Sequence, residues 1–295
     1  MFGGSIVALV TPFDKKNRVN YSKIKELVEF HLKEGTDAVL PCGTTGEAPT
    51  LEDAEKLKIF ETAVKAADKQ IPVIAGTGSY NTAHTIELTK RAKKIGVTAV
   101  LIVAPYYNKP TQEGLYRHYM AVADEGGLPV VIYNIPGRTG VNIMPDTLAR
   151  LAEHPRIVAV KEASGNLGQI SEIQRRLGDK LAVLSGDDGL TLPILAVGGK
   201  GVISVTANIV PARVKEMIQA FMAGDRVRAL ELHQRLEDLN QALFLETNPI
   251  PIKTAMNLMG FEVGGFRLPL CEMSERNRER LKAVLQSYQL IPGEG

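Results

Sequence analysis

The chain has 295 residues, of which 44% are hydrophobic and 23% are charged, and its formal net charge at pH 7 is +2. This length suits one large α/β barrel, a fold that commonly uses about 250 residues. The small net charge, with Lys and Arg spread along the chain, argues against a nucleic-acid partner or a membrane surface, because both require a clustered basic face. No apolar run approaches the roughly 18 residues of a membrane span, so we expect a cytoplasmic protein that does not enter a membrane.

Short apolar runs recur from the N-terminus to about residue 203. These runs, which we predict to be strands, cover residues 7–10, 38–40, 72–75, 99–103, 130–132, 157–160, 181–184 and 202–203. Segments with the apolar period of a helix lie between them, such as the stripe formed by Ile24, Leu27 and Val28. Eight strand–helix units predict a (β/α)8 TIM barrel. A doubly wound sheet is the minor alternative, because it would need fewer units and usually a glycine-rich first turn.

Helix-start signals stand between the predicted strands. The stretch Thr50-Leu51-Glu52-Asp53 has the pattern of a capping box, and Thr111 precedes Gln112 and Glu113. Both threonines are therefore predicted to cap the helices that follow them.

The strands stop at about residue 224. Three helical stretches follow, over residues 227–243, about 252–259, and 274–287. The first two are separated by Asn248-Pro249-Ile250-Pro251, a segment that cannot continue a helix unbroken. We therefore predict a catalytic barrel over residues 1–224 and a C-terminal helical extension over residues 225–295. The extension is expected to pack on the barrel or on a neighbouring subunit.

The carboxyl ends of the predicted strands are where a barrel of this kind carries its active site. The run over residues 157–160 ends in Lys161, which places an amine beside an apolar core. Burial disfavours the charged form of an amine, and an uncharged amine attacks ketones and aldehydes to form Schiff bases. Taken alone, Lys161 would more often be a surface lysine, but the other strand ends favour the catalytic interpretation.

Polar groups suited to a carboxylate-bearing substrate follow three other strands. Gly43-Thr44-Thr45-Gly46-Glu47 combines glycines, which allow a ligand to approach the backbone, with two hydroxyls, although it could also be only a turn. Tyr107 and Tyr133 could each relay a proton or simply pack, and Arg138 offers a bidentate fork to a carboxylate. We read Asp187-Asp188 as turn residues or caps. Together these residues suggest carbonyl chemistry through the lysine.

Other chemistries find little support in the sequence. The histidines lie on predicted helices or helix ends rather than strand ends, so a metal-dependent aldolase is disfavoured; they are His31, His84, His118, His154 and His233. Gly76-Thr77-Gly78 is followed by Asn81 where a dinucleotide fingerprint needs glycine. Gly198-Gly199-Lys200-Gly201 is predicted to be a tight turn into the last strand. Cys42 and Cys271 match no metal or redox spacing and are expected to be reduced.

Four motifs in this order resemble the class I, lysine-dependent aldolases and lyases that use pyruvate, the N-acetylneuraminate lyase family. They are Gly43-Thr44-Thr45-Gly46-Glu47, Tyr133-Asn134-Ile135-Pro136, Val160-Lys161-Glu162 and Ser185-Gly186-Asp187-Asp188. The resemblance runs essentially end to end and includes the stretch from Asn248 to Lys253. It implies a TIM barrel, no metal, no cofactor other than the covalent imine on Lys161, and a homotetramer made of two tight dimers.

The resemblance also implies a role for each of the strand-end residues. Lys161 would form an imine with pyruvate, and Tyr133 would shuttle protons in a hydrogen-bonded triad with Thr44 and Tyr107. In the family, the residue that matches Tyr107 is lent by the neighbouring subunit. The residues implied to hold the pyruvate carboxylate and shape the pocket are Thr45, Gly186 and Ile203.

Arg138 selects among the branches of this family. The resemblance is greatest to the branch that condenses pyruvate with L-aspartate 4-semialdehyde, the first committed step of lysine (diaminopimelate) biosynthesis, and Arg138 would bind the carboxylate of that aldehyde. The sister lyases that act on sugar acids carry no such arginine. A non-catalytic keto-acid sensor on the same barrel would be expected to lose Lys161 or Tyr133, and both are present.

A last expectation concerns feedback by free lysine, which inhibits some members of the family at a subunit interface near Tyr106. That aromatic residue is present, but Lys56, Tyr80 and His84 depart from the regulated pattern. Lys56 would repel a cationic effector. We therefore predict that lysine inhibits this protein weakly or not at all.

Overall fold

The structure is a computed structural model that describes residues 3–178 and 180–293, so the outermost residues of the two predicted units and residue 179 lie outside the described residues. The predicted runs form parallel strands whose ends lie within three residues of the predicted ends. The strands are β1 Gly4–Ala8, β2 Ala38–Leu40, β3 Ile74–Gly76, β4 Ala99–Val103, β5 Val130–Asn134, β6 Ile157–Glu162, β7 Ala182–Ser185 and β8 Gly201–Ser204. The predicted (β/α)8 architecture is confirmed.

The sheet closes on itself into a barrel. Its strand order is β2-β1-β8-β7-β6-β5-β4-β3, which leaves β2 and β3 as the two ends of the hydrogen-bonded ladder. A parallel bridge between Val39 and Val73, and a 3.0 Å hydrogen bond from the Gly76 amide to the Pro41 carbonyl, join these two ends. The doubly wound alternative is therefore wrong, because an open sheet would leave two free edges.

Helices cover the outside of the barrel. Within the described residues they are α1 Tyr21–Lys33, α2 Asp53–Ala67, α3 Thr82–Ile95, α4 Gln112–Gly126, α5 Pro136–Thr139, α6 Pro145–Leu151, α7 Leu167–Leu177, α8 Thr191–Ala196, α9 Pro211–Met222, α10 Arg226–Ala242, α11 Ile250–Leu258 and α12 Glu275–Ser287. Thr111 caps α4 as predicted, since its side chain accepts a hydrogen bond from the Gly114 amide. The cap predicted at Thr50 is wrong: Glu52 and Glu55 form the capping box of α2, and Thr50 ends a short 3-10 turn.

The apolar core has two layers. Inside the barrel, side chains such as those of Ile6, Leu40, Ala159 and Leu184 form one cluster, and a larger cluster fills the space between strands and helices. Because side chains alternate between the two faces of a strand, a residue two positions from Ala159 points the same way. Lys161 therefore points into the barrel interior, at the end where β6 stops.

The segment after the barrel is helical, with α10 packed against α9 and α12 packed against α11. The predicted break at Asn248–Pro251 separates α10 from α11, as expected from its prolines. Residues 250–253, 255 and 256 of α11 are all buried, so this helix is embedded in the rest of the molecule. Where the barrel unit ends and the extension begins stays a prediction.

Candidate active site

A cavity of about 550 Å³ opens at the carboxyl ends of β2, β3, β4 and β5. Thr44, Tyr133 and Arg138, three of the residues singled out in the sequence, line it. Lys56 and Tyr106 line its outer part, where burial raises the pKa of Tyr106. The carboxyl ends of the strands therefore hold a cavity large enough for two small substrates.

Lys161 packs against Tyr133, which lines this cavity, but Lys161 itself is not among the lining residues. Only 5% of the lysine is exposed, and its Nζ lies 4.4 Å from the centroid of the Tyr133 ring. Within the described part of the chain, no carboxylate lies within 4.0 Å of this nitrogen. The amine is thus enclosed beside a phenol, without a counter-charge to hold it as a salt bridge.

The register of the sheet places Tyr133 and Lys161 side by side. Tyr133 on β5 is paired with Lys161 on β6, and Lys161 is paired with Leu184 on β7. All three side chains point inward, because residues in register on neighbouring parallel strands share a face. The contact between the amine and the phenol therefore follows directly from strand pairing.

Gly186 leaves room for the Lys161 side chain. A Cβ at residue 186 would lie 3.1 Å from Lys161 Cε and 2.7 Å from the Cβ of Ala163. The Gly186 amide donates to the Glu162 carbonyl at 2.8 Å, which fixes the backbone beside the lysine. Only glycine fits at this position without displacing its neighbours.

The loop of residues 43–47, which we call the Thr-Thr loop, lies over the end of β2. Thr44 is half-buried and lines the cavity, whereas Thr45 is buried and its Oγ1 accepts a 3.0 Å hydrogen bond from Asn248 Nδ2. Gly76 allows this loop to approach β3, because a Cβ there would lie 2.0 Å from the Cys42 carbonyl oxygen. The loop is therefore held from the barrel side and from the C-terminal helices.

Arg138 lies on the exposed side of the cavity, in the short helix α5. Its Nη2 donates a 3.0 Å hydrogen bond to the Asn248 carbonyl oxygen, and the rest of the guanidinium remains available. Asn248 thus contacts both Thr45 and Arg138. The guanidinium stands where it can bind an anionic group entering the cavity.

Two of the predicted site residues lie apart from this cluster. Tyr107 is 92% exposed and does not line the cavity, so a single chain does not bring it to Thr44 and Tyr133. Its backbone has φ of +68°, the left-handed region that a tyrosine rarely adopts. Ile203 is buried in the inner barrel layer with Tyr133, below the cavity.

Several buried charged residues around the site were not singled out from the sequence as functional. Glu162 accepts hydrogen bonds from Asn134 Nδ2 at 3.0 Å and from the Ser164 amide at 2.8 Å. Burial raises the pKa of Asp188, while its hydrogen bonds from Ser204 Oγ and the Val205 amide oppose that shift.

A third example is Lys253, which pairs with Glu47. The sequence feature that could have identified Lys253 is a lysine inside the apolar stretch of residues 250–256, which is unusual for a solvated helix.

For Asp188, the structure agrees with its interpretation as a turn residue. Asp187 caps the 3-10 turn of Asp188–Leu190 by accepting from the Gly189 amide.

Residues 3–178 and 180–293 contain no group of three or more His, Cys, Asp or Glu side chains that could hold a metal ion. Nor does that part of the chain contain a helix with the length and apolar character needed to cross a bilayer.

A TIM barrel with an enclosed lysine at the end of its sixth strand and a tyrosine against that lysine is the arrangement expected of a class I lyase, which works through a lysine imine. The model of the dihydrodipicolinate synthetase family matches residues 1–288, and the chain belongs to that family. The family condenses pyruvate with aspartate semialdehyde in lysine biosynthesis through a Schiff base and without a cofactor.

Known relatives match over almost the whole chain. The 4-hydroxy-tetrahydrodipicolinate synthase of Thermodesulfovibrio yellowstonii is 57% identical over 291 residues, which cover 99% of this chain and 100% of that protein. The crystal structure of dihydrodipicolinate synthase from Aquifex aeolicus is 52% identical, with a TM-score of 0.97 over 99% of this chain and 100% of that one. The chloride-inhibited enzyme from Acinetobacter baumannii, solved with pyruvate, is 45% identical, with a TM-score of 0.97 and the same coverage.

Proposed function

We propose that this chain condenses pyruvate with L-aspartate 4-semialdehyde to give 4-hydroxy-tetrahydrodipicolinate, with Lys161 as the nucleophile. The observation that carries the proposal is the enclosed Lys161 amine, which has no carboxylate partner among the described residues and lies 4.4 Å from the centroid of the Tyr133 ring. The family membership and the relative solved with pyruvate support the same conclusion.

The first half of the reaction makes a nucleophile from pyruvate. The Lys161 amine adds to the C2 ketone, and the resulting carbinolamine loses water to form an imine. Loss of a proton from the methyl carbon then gives the enamine. Tyr133 is the acid and base for these transfers, because its phenol ring packs against the amine and also lines the cavity.

The second half joins the two substrates. The enamine carbon attacks the aldehyde carbon of aspartate semialdehyde, and the aldehyde oxygen takes up a proton. The amine of that substrate then attacks the imine carbon, which closes the ring and releases Lys161. Enclosure and positioning supply much of the acceleration, as in other preorganised sites.

Three groups hold the substrate carboxylates in this proposal. Thr45 and the backbone around Gly186 bind the pyruvate carboxylate beside Lys161, and Ile203 shapes the floor below it. Arg138 binds the carboxylate of the aldehyde through its free guanidinium nitrogens. A fork of two parallel hydrogen bonds fixes the orientation of a carboxylate better than a single point charge does.

Tyr107 completes the site from a neighbouring subunit. Its side chain is 92% exposed on a loop that projects from the cavity rim, and Tyr106 beside it stacks edge-on with Tyr80 at 5.4 Å. A large exposed aromatic residue next to a site that lacks one proton-relay partner suits an interface between two copies. We propose a homotetramer built from two such dimers. The cytoplasmic location stays a prediction of the sequence.

Weak feedback by lysine is a further part of this proposal. Lys56 lines the outer part of the cavity, 3.8 Å from Asp53 Oδ1, and His84 Nε2 lies 2.8 Å from Asp53 Oδ2. The Asp53 carboxylate is thus already occupied by Lys56 and His84, and it is not free to bind an incoming ammonium. Inhibition at sub-millimolar lysine would contradict this.

Borohydride trapping tests the covalent step directly. Treatment of the protein with pyruvate and borohydride should add the mass of one reduced pyruvate per chain, and peptide mapping should place it on Lys161. The variant Lys161→Ala should show no adduct, while Lys180→Ala, which removes an exposed lysine, should match the wild type. An adduct on another lysine, or one that persists in Lys161→Ala, would overturn the assignment.

A two-substrate assay separates the proposed reaction from that of a sister lyase. Pyruvate and aspartate semialdehyde should support NADPH consumption by the reductase that acts on the product. Cleavage of a sugar acid without that condensation would favour the sister activity instead.

A further inference from the structure

We propose that Glu47 and Lys253 are positioning residues, an ion pair through which the C-terminal helices hold the Thr-Thr loop in place for pyruvate. The inference rests on the proposed function, in which Thr44 and Thr45 of that loop serve the substrate. Both side chains are 0% exposed and are bound to each other, so they act through the loop rather than by contact with substrate.

The pair is fully enclosed. Lys253 Nζ lies 2.7 Å from Glu47 Oε1, and both side chains are 0% exposed. The ammonium also donates to the Gly265 carbonyl oxygen and lies 4.3 Å from the centroid of the Phe13 ring and 5.1 Å from that of Phe266. One amine thus joins the loop after β1, the Thr-Thr loop and the segment after α11.

Glu47 is the residue through which this contact reaches the threonines. Its backbone has φ of +53°, in the left-handed region that is costly for a glutamate. Its amide donates to the Thr44 carbonyl at 3.0 Å, and Oε2 accepts from the Arg267 amide at 3.3 Å. The carboxylate is therefore bound at both oxygens while its backbone closes the turn that presents Thr44.

A second contact from the same C-terminal segment reaches the same loop. Asn248 Nδ2 donates to Thr45 Oγ1 at 3.0 Å. A hydroxyl whose oxygen accepts this bond keeps its own hydrogen free for another acceptor. The segment of residues 248–267 thus holds the loop at Thr45 and at Glu47, on both sides of Gly46.

Stability alone gives little reason for a charged pair at this depth. Removing two charges from water is costly, and well-packed apolar residues of similar size often replace a buried ion pair without loss of stability. An ion pair adds a defined geometry, because its hydrogen bonds fix the relative position of the two charged groups. A loop that presents hydroxyls to a small keto acid requires that kind of precision.

The double variant Glu47→Gln, Lys253→Met tests this without leaving a lone buried charge. We expect it to fold, and kcat/KM for pyruvate to fall about 10- to 100-fold because the threonines lose their position. Most of that change should be a higher KM for pyruvate. At saturating pyruvate, borohydride should still trap the adduct on Lys161, which shows that the amine is intact.

Two further variants keep the test decisive. Glu47→Asp retains the charge but shortens the side chain by one methylene group, so it should draw the loop toward Lys253 and raise KM for pyruvate. Thr36→Val removes the 2.9 Å contact between Thr36 and His31 at the opposite end of the barrel. This control should lower the melting temperature and leave KM unchanged.

The outcomes separate the inference from the proposed function. If the double variant and Glu47→Asp both bind and turn over pyruvate like the wild type, or lose activity only in proportion to the folded fraction, positioning by this pair is wrong. If the wild-type protein itself traps no pyruvate, the proposed function is wrong, whatever these variants do.

Discussion

The chain buries two lysines near its active site, and they differ in what surrounds them. Lys253 is 0% exposed and has a carboxylate, a carbonyl oxygen and two aromatic rings around its ammonium. Lys161 is 5% exposed and packs against one phenol ring, that of Tyr133, with no carboxylate within 4.0 Å among the described residues. Burial lowers the pKa of Lys253, while the Glu47 carboxylate opposes that shift and favours the charged form.

The difference teaches that enclosure alone does not make a lysine reactive. A counter-charge and hydrogen-bond acceptors hold an amine as a cation, which cannot attack a carbonyl carbon. Lys161 lacks such partners among the described residues and lies against a phenol, which is the arrangement that we propose for addition to a ketone. The same side chain therefore serves structure in one place and chemistry in the other.

Replacement of each lysine by methionine should separate these two roles most sharply. Lys161→Met should lower kcat by about 10⁴-fold or more, since the covalent route is lost, with the melting temperature unchanged or raised. Lys253→Met should instead lower the free energy of unfolding by about 3–5 kcal/mol, because Glu47 is left buried without its cation. Steady-state kinetics and urea denaturation of both variants measure the contrast. A stability loss in Lys161→Met as large as that in Lys253→Met would break it.

Tyr133→Phe should give the next largest effect, because it keeps the ring against Lys161 and removes only the hydroxyl. Loss of a general acid and base lowers kcat by about 10²–10⁴-fold, whereas the enclosed amine remains. The trapped adduct should still form, but more slowly, as followed by mass spectrometry over time. Tyr119→Phe is the matched control, since that buried hydroxyl donates to the Ile102 carbonyl in the outer core. Normal turnover in Tyr133→Phe would remove the phenol from the mechanism.

Arg138→Lys should produce a smaller and more selective change. A lysine keeps the positive charge but loses the bidentate fork, so KM for aspartate semialdehyde should rise about 10-fold, which corresponds to roughly 1.4 kcal/mol. KM for pyruvate and the rate of borohydride trapping should stay at the wild-type values. A parallel rise in both KM values would mean that the arginine acts through Asn248 and the Thr-Thr loop instead.

Much of the fold and part of the site could be predicted from the sequence. Short apolar runs identify buried parallel strands, and the register of the sheet then places Tyr133 beside Lys161. The lysine was recognised because it ends such a run. Contacts made by residues close in sequence to a strand end are therefore accessible to pattern reasoning.

The remaining contacts join residues that are far apart in the chain, and no local pattern reports them. Lys253 and Glu47 are separated by 206 positions, and Asn248 and Thr45 by 203. Pattern reasoning also failed over a short distance at Thr50. The chain makes a 3-10 turn that ends at this residue, so Glu52 and not Thr50 caps the following helix. Tyr107 depends on a second copy of the chain in our proposal, which one sequence does not describe.

His31 is a third buried nitrogen base, and it sharpens the comparison because its partner is a hydroxyl rather than a carboxylate. Its Nδ1 lies 2.9 Å from Thr36 Oγ1, and its Nε2 is buried without a partner among the described residues. Burial lowers the pKa of His31 from 6.5 to about 3. Without a counter-charge, this base stays neutral in the folded protein.

The stability that follows should depend on pH. Above pH 6.5 the histidine is neutral in the folded and the unfolded state, so its contribution to the free energy of unfolding is complete. As the pH falls from 6.5 toward 3, His31 binds a proton in the unfolded chain but stays neutral in the folded protein, and stability is lost. At pH 5 the loss is about 2 kcal/mol. Urea denaturation at pH 7 and pH 5 should show that His31→Asn reduces this loss, with the remainder due to groups such as His118, whose pKa burial lowers to about 4. Turnover of His31→Asn at pH 7 should be unchanged, because His31 lies at the end of the barrel away from Lys161. An equal loss of stability in the variant and the wild type between pH 7 and pH 5 would show that His31 does not stay neutral.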